Sequence, residues 1–249
     1  MVADDRPEPT TDIGSPDAET LVVSEIFGPT VQGEGPTAGR RASFVRLGRC
    51  DLSCRWCDTP YTWDWDGITG RAYDPAVELD RRTVADVVAA VRAHGTERVV
   101  VTGGEPMLQR RALTALIRTL FVDGRAVEVE TNGRHRPLDV PGVEYNVSPK
   151  LSSSGDEERR RIVPDALRAM GAEAAVFKFV VTGVDELDEV RRIVDLAEIG
   201  DDRVWISPQA RSVAEVASVT AAVADAVIDR RWNLSTRLHV LAWGDERGR

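Results

Sequence analysis

The three cysteines of this chain all fall within eight residues, Cys50-Asp51-Leu52-Ser53-Cys54-Arg55-Trp56-Cys57. A thiolate is a soft anionic ligand suited to zinc or to iron–sulfur clusters. Structural zinc is closed by four ligands in paired short spacings. This chain offers no second pair, and its three histidines, His94, His135 and His239, are distant in sequence. An ordinary 4Fe-4S centre also takes four thiolates, so three with no evident fourth suit a cubane with one iron open to chemistry. A zinc ion completed by a distant histidine, or reduced thiols that bind nothing, are the alternatives the spacing leaves. A tight cysteine cluster in a reducing compartment is more often metal-binding or catalytic than disulfide-forming.

The rest of the chain has to position that loop. Its 249 residues are 42% hydrophobic and 29% charged, an ordinary globular composition and enough for one large domain or two small ones. Thirty-two basic against 41 acidic residues leave a formal charge of −9, which argues against a broad nucleic-acid surface. No apolar run approaches the roughly 18 residues of a membrane span, and the N-terminus lacks a basic start followed by an apolar core, so a cytoplasmic protein is expected.

Residues 1–20, rich in Pro, Asp, Glu and Thr, read as a disordered leader, and 21–249 as a single domain. Leu21–Phe27 has strand composition and is expected to close at Gly28-Pro29. The glycine-rich loop Val31–Pro36 follows, and the apolar run Ser43–Gly48 leads into the cysteines. Val84, Val87, Val88 and Val91 predict a helix capped by Thr83 and ended by Gly95. Strands are expected near 98–101, 126–130, 143–147, 174–181 and 204–206, and helices over 107–122, 184–198 and 212–230. The polar stretch 151–160 reads as a surface insertion. This alternation predicts an α/β fold with a parallel sheet covered by helices, in which ligands gather at the carboxyl ends of the strands. The cysteine loop, Thr102-Gly103-Gly104-Glu105-Pro106, Glu130-Thr131-Asn132-Gly133 and Ser148-Pro149-Lys150 all stand at such ends. Taken singly, each of these later segments could be no more than a turn.

The cysteine spacing, with aromatic Trp56 before Cys57 and the later Gly103-Gly104-Glu105-Pro106, resembles the radical S-adenosylmethionine superfamily. Val31-Gln32-Gly33-Glu34-Gly35, Arg46, Cys57-Asp58-Thr59 and the ending Leu238–Gly248 are further similar to the 7-carboxy-7-deazaguanine synthase family, and the likeness spans about residues 21–249. It implies a partial (β/α)6 barrel of mostly parallel strands, trimmed in some helices, and a homodimer. The implied reaction is a carbon–nitrogen lyase step that turns 6-carboxy-5,6,7,8-tetrahydropterin into 7-carboxy-7-deazaguanine with loss of ammonia, in queuosine and 7-deazapurine biosynthesis.

The implied cofactors are a 4Fe-4S cluster, S-adenosyl-L-methionine and Mg2+, with an external electron donor such as flavodoxin or ferredoxin and no direct part for nucleic acid. By the family pattern Cys50, Cys54 and Cys57 hold the cluster. Trp56, Cys57, Asp58, Gly104, Ser148, Pro149 and Lys150 line the S-adenosylmethionine site, the glycine leaving room for close backbone approach. Val31, Gln32 and Gly33 meet the pterin, Arg46 its carboxylate and Thr102 its ring; Thr59 offers a hydroxyl to magnesium. No protein group is implied as the catalyst, because the cofactor generates the radical. The types suit those tasks: Arg clamps a carboxylate, and Mg2+ takes few, hard oxygen ligands from protein. Read blandly, Arg46 is a surface ion pair and Gln32 and Glu34 belong to a solvated loop. Lys178, between Phe177 and Phe179, either meets an anion inside or reaches solvent at the barrel edge. His239 either reaches the substrate or packs and hydrogen-bonds in a last strand.

Cys54→Ala is expected to abolish the cluster's visible absorption after anaerobic reconstitution; absorption that survives the change defeats the three-thiolate reading.

Overall fold

The computed structural model describes residues 19–249. Most of the expected leader, residues 1–18, lies outside the described residues, and Thr20 already belongs to the first strand. In chain order the elements are β1 (Thr20–Val31), β2 (Arg41–Leu47), α1 (Pro75–Glu78), β3 (Asp80–Thr83), α2 (Val84–His94), β4 (Arg98–Gly103), α3 (Arg110–Val122), β5 (Ala126–Thr131) and β6 (Glu144–Val147). They continue with α4 (Glu158–Arg161), α5 (Pro164–Gly171), β7 (Ala175–Val181), α6 (Leu187–Leu196), β8 (Val204–Pro208), α7 (Val213–Asp229), β9 (Asn233–Leu234) and α8 (Leu238–Trp243).

The strands form one open sheet in the order β3-β1-β2-β4-β5-β6-β7-β8-β9. From β2 to β9 every neighbouring pair is parallel, while β1 runs antiparallel to both β2 and β3. Six parallel strands, β2 and β4 to β8, therefore stand as expected, with the two-residue β9 added at the edge. The crossover from β5 to β6, residues 132–143, carries no helix.

Local chemistry explains the best-defined helix. Thr83 Oγ1 accepts from the Asp86 amide at 3.1 Å while Asp86 Oδ2 accepts from the Thr83 amide at 3.3 Å, a reciprocal cap. Gly95 ends α2 at φ 62°, left-handed backbone that glycine adopts without steric cost. Pro106 opens a single 3-10 turn before α3, so the helix expected from Met107 begins in earnest at Arg110.

Three expectations are corrected. β1 does not stop at Gly28-Pro29. Its pairing with β3 covers only Thr20–Val23, so Pro29, which has no N–H to give, lies beyond the β3 pairing, and a register irregularity between Phe27 and Thr30 absorbs it on the β2 side. The segment 151–160 is a surface insertion only in part: Ser152, Gly155 and residues 157–160 are exposed, but Leu151 and Ser154 are fully buried, and α4 and α5 complete the crossover to β7. His239 lies in α8, not in a strand.

The alternation of strand side chains divides the sheet into two chemically different faces. Val45, Leu47, Val99, Val101, Val127, Val129, Phe177 and Phe179 enter the main core with the apolar stripes of α2, α3 and α6. The intervening residues, Phe44, Arg46, Val100, Thr102, Glu128, Glu130 and Lys178, point to the other face. There Phe44 stacks on Phe27 with ring centroids 5.0 Å apart, and the carboxyl half of the face is polar. A buried strand that alternates Val with Glu, as Ala126-Val127-Glu128-Val129-Glu130 does, thus aims charge at the inner face.

Candidate active site

The cysteine loop leaves the carboxyl end of β2 and is clamped against the end of β4. The Gly104 amide donates to Leu47 O at 3.0 Å and the Glu105 amide to Arg49 O at 2.8 Å. A β-carbon on Gly103 would stand 2.1 Å from Leu47 O, and one on Gly104 2.0 Å from Arg49 O. These glycines admit the backbone of the cysteine loop itself, a closer constraint than the ligand approach the motif suggests. Fully buried Glu105 then accepts from the Met107 amide at 2.9 Å, Thr131 Oγ1 at 2.8 Å and the Asn132 amide at 2.7 Å. It locks the loop after β4 to the loop after β5. Asp51 makes the same connection from the cysteine side, accepting from Asn132 Nδ2 at 2.8 Å, paired with Arg134 and 2.9 Å from His135 Nε2.

From the far side, the segment after β6 closes on the cysteine loop: the Arg55 amide donates to Ser154 O at 2.9 Å and the Ser53 amide to Asp156 Oδ2 at 3.0 Å. Cys50, Cys54 and Cys57 thereby face one cavity. Burial pushes the Cys54 thiol up to about 12 and raises those of Cys50 and Cys57 as well, so the thiolates need a bound cation to persist. Trp63 Nε1 donates to Cys57 Sγ at 3.3 Å, the kind of bond that tunes a cluster's potential. The buried indole N–H of Trp56, on the same wall, has no protein partner among the described residues. Three cysteines on one cavity wall are the donors a cubane with one open iron takes, one thiolate to each of three irons.

Opposite the cysteines stands a charged wall built from segments far apart in the chain. Glu34, in the loop after β1, is paired with Lys178 of β7 and with Arg237 Nε at 2.7 Å. Burial opposes its ionisation, yet the ammonium and guanidinium beside it hold the Glu34 carboxyl well below the usual carboxylate range. Arg237 also donates to Asp58 and to Ala210 O. Glu130 accepts from Thr102 Oγ1 at 2.7 Å and from Gln32 Nε2 at 3.2 Å, and Lys178 lies 3.8 Å away. Arg46 binds Glu25 through Nε at 2.6 Å, and its two terminal nitrogens have no hydrogen-bond partner among the described residues. Lys150 donates to Ser148 O and Oγ at 3.0 and 2.9 Å.

The cavity brings together Val31, Gln32, Gly33, Arg46, Cys50, Cys54, Trp56, Cys57, Asp58, Thr59, Thr102, Gly104, Ser148 and Lys150; Pro149 is buried but does not line it. Gln32 differs from expectation in detail. Its amide gives both donors to Glu128 and Glu130 and accepts from the Gly33 and Glu34 amides, so the side chain is spent on protein. The Thr59 hydroxyl lies 3.7 Å from Cys57 Sγ. Sequence reasoning committed neither Glu34, Glu130, Lys178 and His239 nor Gln209 and Arg237, which line the same cavity. Glu130 carried a signal, charge at every second position of a buried strand with Glu128, and Lys178 carried another, a lone ammonium between two phenylalanines of an apolar strand; Arg237 carried none.

The sequence pattern of the Radical SAM superfamily matches residues 45–140, from β2 through the cysteine loop to the loop after β5. With the parallel sheet and the three-cysteine wall, that makes the chain a radical S-adenosylmethionine protein. The 7-carboxy-7-deazaguanine synthase of Pyrobaculum aerophilum is 38% identical over 231 residues, covering 91% of this chain and 96% of its own. That of Rhodopirellula baltica is 31% identical over 246 residues, covering 92% and 89%. The crystal structure of QueE from Escherichia coli matches with a TM-score of 0.68 at 26% identity, over 88% of this chain and 95% of that one. The chain belongs to the 7-carboxy-7-deazaguanine synthase family.

Gly104→Ala should cost about 1–3 kcal/mol, the usual penalty for overpacking, and weaken retention of the cluster. Denaturation midpoints and absorption after reconstitution measure the two effects; an unshifted midpoint contradicts the backbone clamp.

Proposed function

We propose that this cavity binds 6-carboxy-5,6,7,8-tetrahydropterin beside S-adenosylmethionine and a 4Fe-4S cluster, and yields 7-carboxy-7-deazaguanine with loss of ammonia. The observation that carries the reading is the pairing of three inward-facing cysteines with Arg46, whose terminal nitrogens have no hydrogen-bond partner among the described residues, in one cavity. Cys50, Cys54 and Cys57 would hold the cluster. When bound, cluster and S-adenosylmethionine supply the electron and the organic radical that removes hydrogen from the substrate. Everything else is the task of the chain's own residues: position, charge and exclusion of water.

Arg46 offers a two-pronged, charge-assisted clamp to the substrate carboxylate, and Glu25 aims it by holding Nε. Glu34 and Glu130 present carboxylate oxygens to the N–H-rich edge of a pterin, an assignment of acceptors to donors. Thr102 and Gln32 are held through Glu130, and Gln32 and Thr102 shape the floor on which the ring lies. Trp56, Asp58, Gly104, Ser148, Pro149 and Lys150 belong to the S-adenosylmethionine side, Pro149 by stiffening the turn between Ser148 and Lys150. Thr59 would give its hydroxyl to Mg2+, with the substrate carboxylate and waters supplying the other oxygens. The ion would orient that carboxylate. The proposal includes a cytoplasmic homodimer and flavodoxin or ferredoxin as electron donor; no helix among the described residues is long and apolar enough to cross a membrane.

Anaerobically reconstituted protein, supplied with reductant, S-adenosylmethionine, Mg2+ and 6-carboxytetrahydropterin, should release 7-carboxy-7-deazaguanine. Cleavage of S-adenosylmethionine without deazaguanine would overturn the substrate. Thr59→Ala should weaken the dependence of rate on Mg2+ concentration and leave cluster absorption intact; an unchanged Mg2+ response removes Thr59 as a ligand.

A further inference from the structure

Arg46 presents its terminal nitrogens to the cavity, and its direction is set from behind. Glu25 is its register partner across the antiparallel pair of β1 and β2. The step from Val23 to Glu25 on β1 is matched by a single step from Leu47 to Arg46 on β2, which makes Ser24 a bulge. With an unbroken register Glu25 would stand opposite Val45 and point into the apolar core that holds Val23 and Val45. The bulge turns it to the inner face, beside Arg46.

Three side chains that do not line the cavity, Glu25, Tyr61 and Arg247, converge there. Glu25 Oε1 accepts from Arg46 Nε at 2.6 Å and from the Tyr61 hydroxyl at 2.8 Å. Glu25 Oε2 accepts from Arg247 Nε at 3.1 Å, and Arg247 Nη1 donates to Glu78 of α1 at 2.8 Å. The Arg247 guanidinium also lies over the Tyr61 ring, 3.8 Å from its centroid. Glu25 is thus held at both oxygens and meets Arg46 through Nε alone. Burial opposes the ionisation of Glu25, yet the two guanidinium groups and the phenol hold its carboxyl below the usual carboxylate range. What remains of Arg46 is its end-on fork, with the Phe27 ring centroid 5.7 Å from the guanidinium.

We propose that Tyr61 and Arg247 are positioning residues for the substrate carboxylate, acting on it only through Glu25 and Arg46. The proposal rests on the reading of Arg46 as the clamp for that carboxylate. Holding Glu25 at both oxygens fixes the direction of the Arg46 fork, so a planar carboxylate meets a clamp already aimed. Charge adds to geometry. Glu25 alone would largely offset Arg46, whereas Arg247 shares Glu25 with it and leaves Arg46 more attraction for a second anion. Arg247 is itself divided between Glu25 and Glu78, so the effect is moderate. A contact that only tacked the segment after α8 to α1 would need no more than Arg247 and Glu78; the bond to Glu25 ties it to the clamp.

The test uses reconstituted holoenzyme with S-adenosylmethionine and Mg2+, and two unreactive probes, 6-carboxypterin and pterin, which differ by the carboxylate alone. Dissociation constants are read by equilibrium dialysis. Arg247→Gln should raise the constant for 6-carboxypterin about fivefold and leave that for pterin unchanged. Arg247→Lys should restore part of the difference. Tyr61→Phe, which keeps the ring and removes the hydroxyl, should act in the same direction as Arg247→Gln. In an Arg46→Met background Arg247→Gln should have no further effect, since its influence passes through Arg46. Equal weakening of both probes, or an effect undiminished without Arg46, overturns the proposal. A wild-type preference for 6-carboxypterin that survives both Arg247→Gln and Tyr61→Phe defeats the relay alone. A wild type that binds the two probes alike defeats the carboxylate reading, and this proposal with it.

Discussion

The inner face of this sheet carries ions where a fold of this class offers little water, and the pairing of Glu34 with Lys178 and Arg237 is what makes that tolerable. An unpaired buried charge costs several kcal/mol, and removing one partner of such a pair typically costs about 3–5 kcal/mol. Each ion here is therefore tied to the position of the others. Glu34 comes from the loop after β1, Lys178 from β7, Arg237 from the segment before α8, and Asp58 follows the cysteines. Satisfying the two carboxylates Glu34 and Asp58 draws four distant segments around one cavity. Gly33 completes the closure: a β-carbon there would stand 2.0 Å from His239 Nδ1, and the Leu238 amide donates to Gly33 O at 2.8 Å.

The cysteine half of the site is held by a different kind of force. Backbone meets backbone where Gly103 and Gly104 press against Leu47–Arg49, and Glu105 gathers three donors in a fully buried position. Those are short, directional contacts between neighbouring strand ends, and they leave little freedom for the loop. The result is a rigid wall that carries the cysteines facing an ionic wall, which suits the proposed cofactor and substrate sides. Preorganisation of both is what a radical reaction requires, since the reactive species must meet its target before it meets solvent.

That difference in construction explains what could be read from the chain. The cysteine spacing, the Gly-Gly-Glu-Pro turn, the capped helix from Val84 to His94 and the strand–helix alternation are local patterns, and the structure contains all of them. Glu128 and Glu130 were half legible, because period-two charge inside an apolar strand marks an inward polar face, and Lys178 because a lone ammonium amid apolar strand residues needs an anionic partner. Arg237 was not, since its meaning depends on partners 203 residues away at Glu34 and 179 away at Asp58, with nothing periodic or clustered around it. The segment 151–160 was legible as surface over much of its length, but not in its inward half, because Asp156 and Ser154 satisfy amides of the cysteine loop far away in sequence.

The same segment shows why the two walls are better regarded as one device. It begins at Lys150, which faces the cavity, and Arg161 at its far end reaches back to donate to Lys150 O at 2.9 Å while pairing with Glu189. Between those points Asp156 comes to 3.9 Å from Cys54 Sγ. With the proposed cluster bound, a carboxylate that close to Cys54 would disfavour added negative charge, and the Lys150 ammonium on the cavity side would act in the opposite sense. One short stretch of chain therefore brings opposite charges to the same thiol, with Asp156 fixed by the Ser53 amide and Lys150 by the hold of Arg161 on its carbonyl.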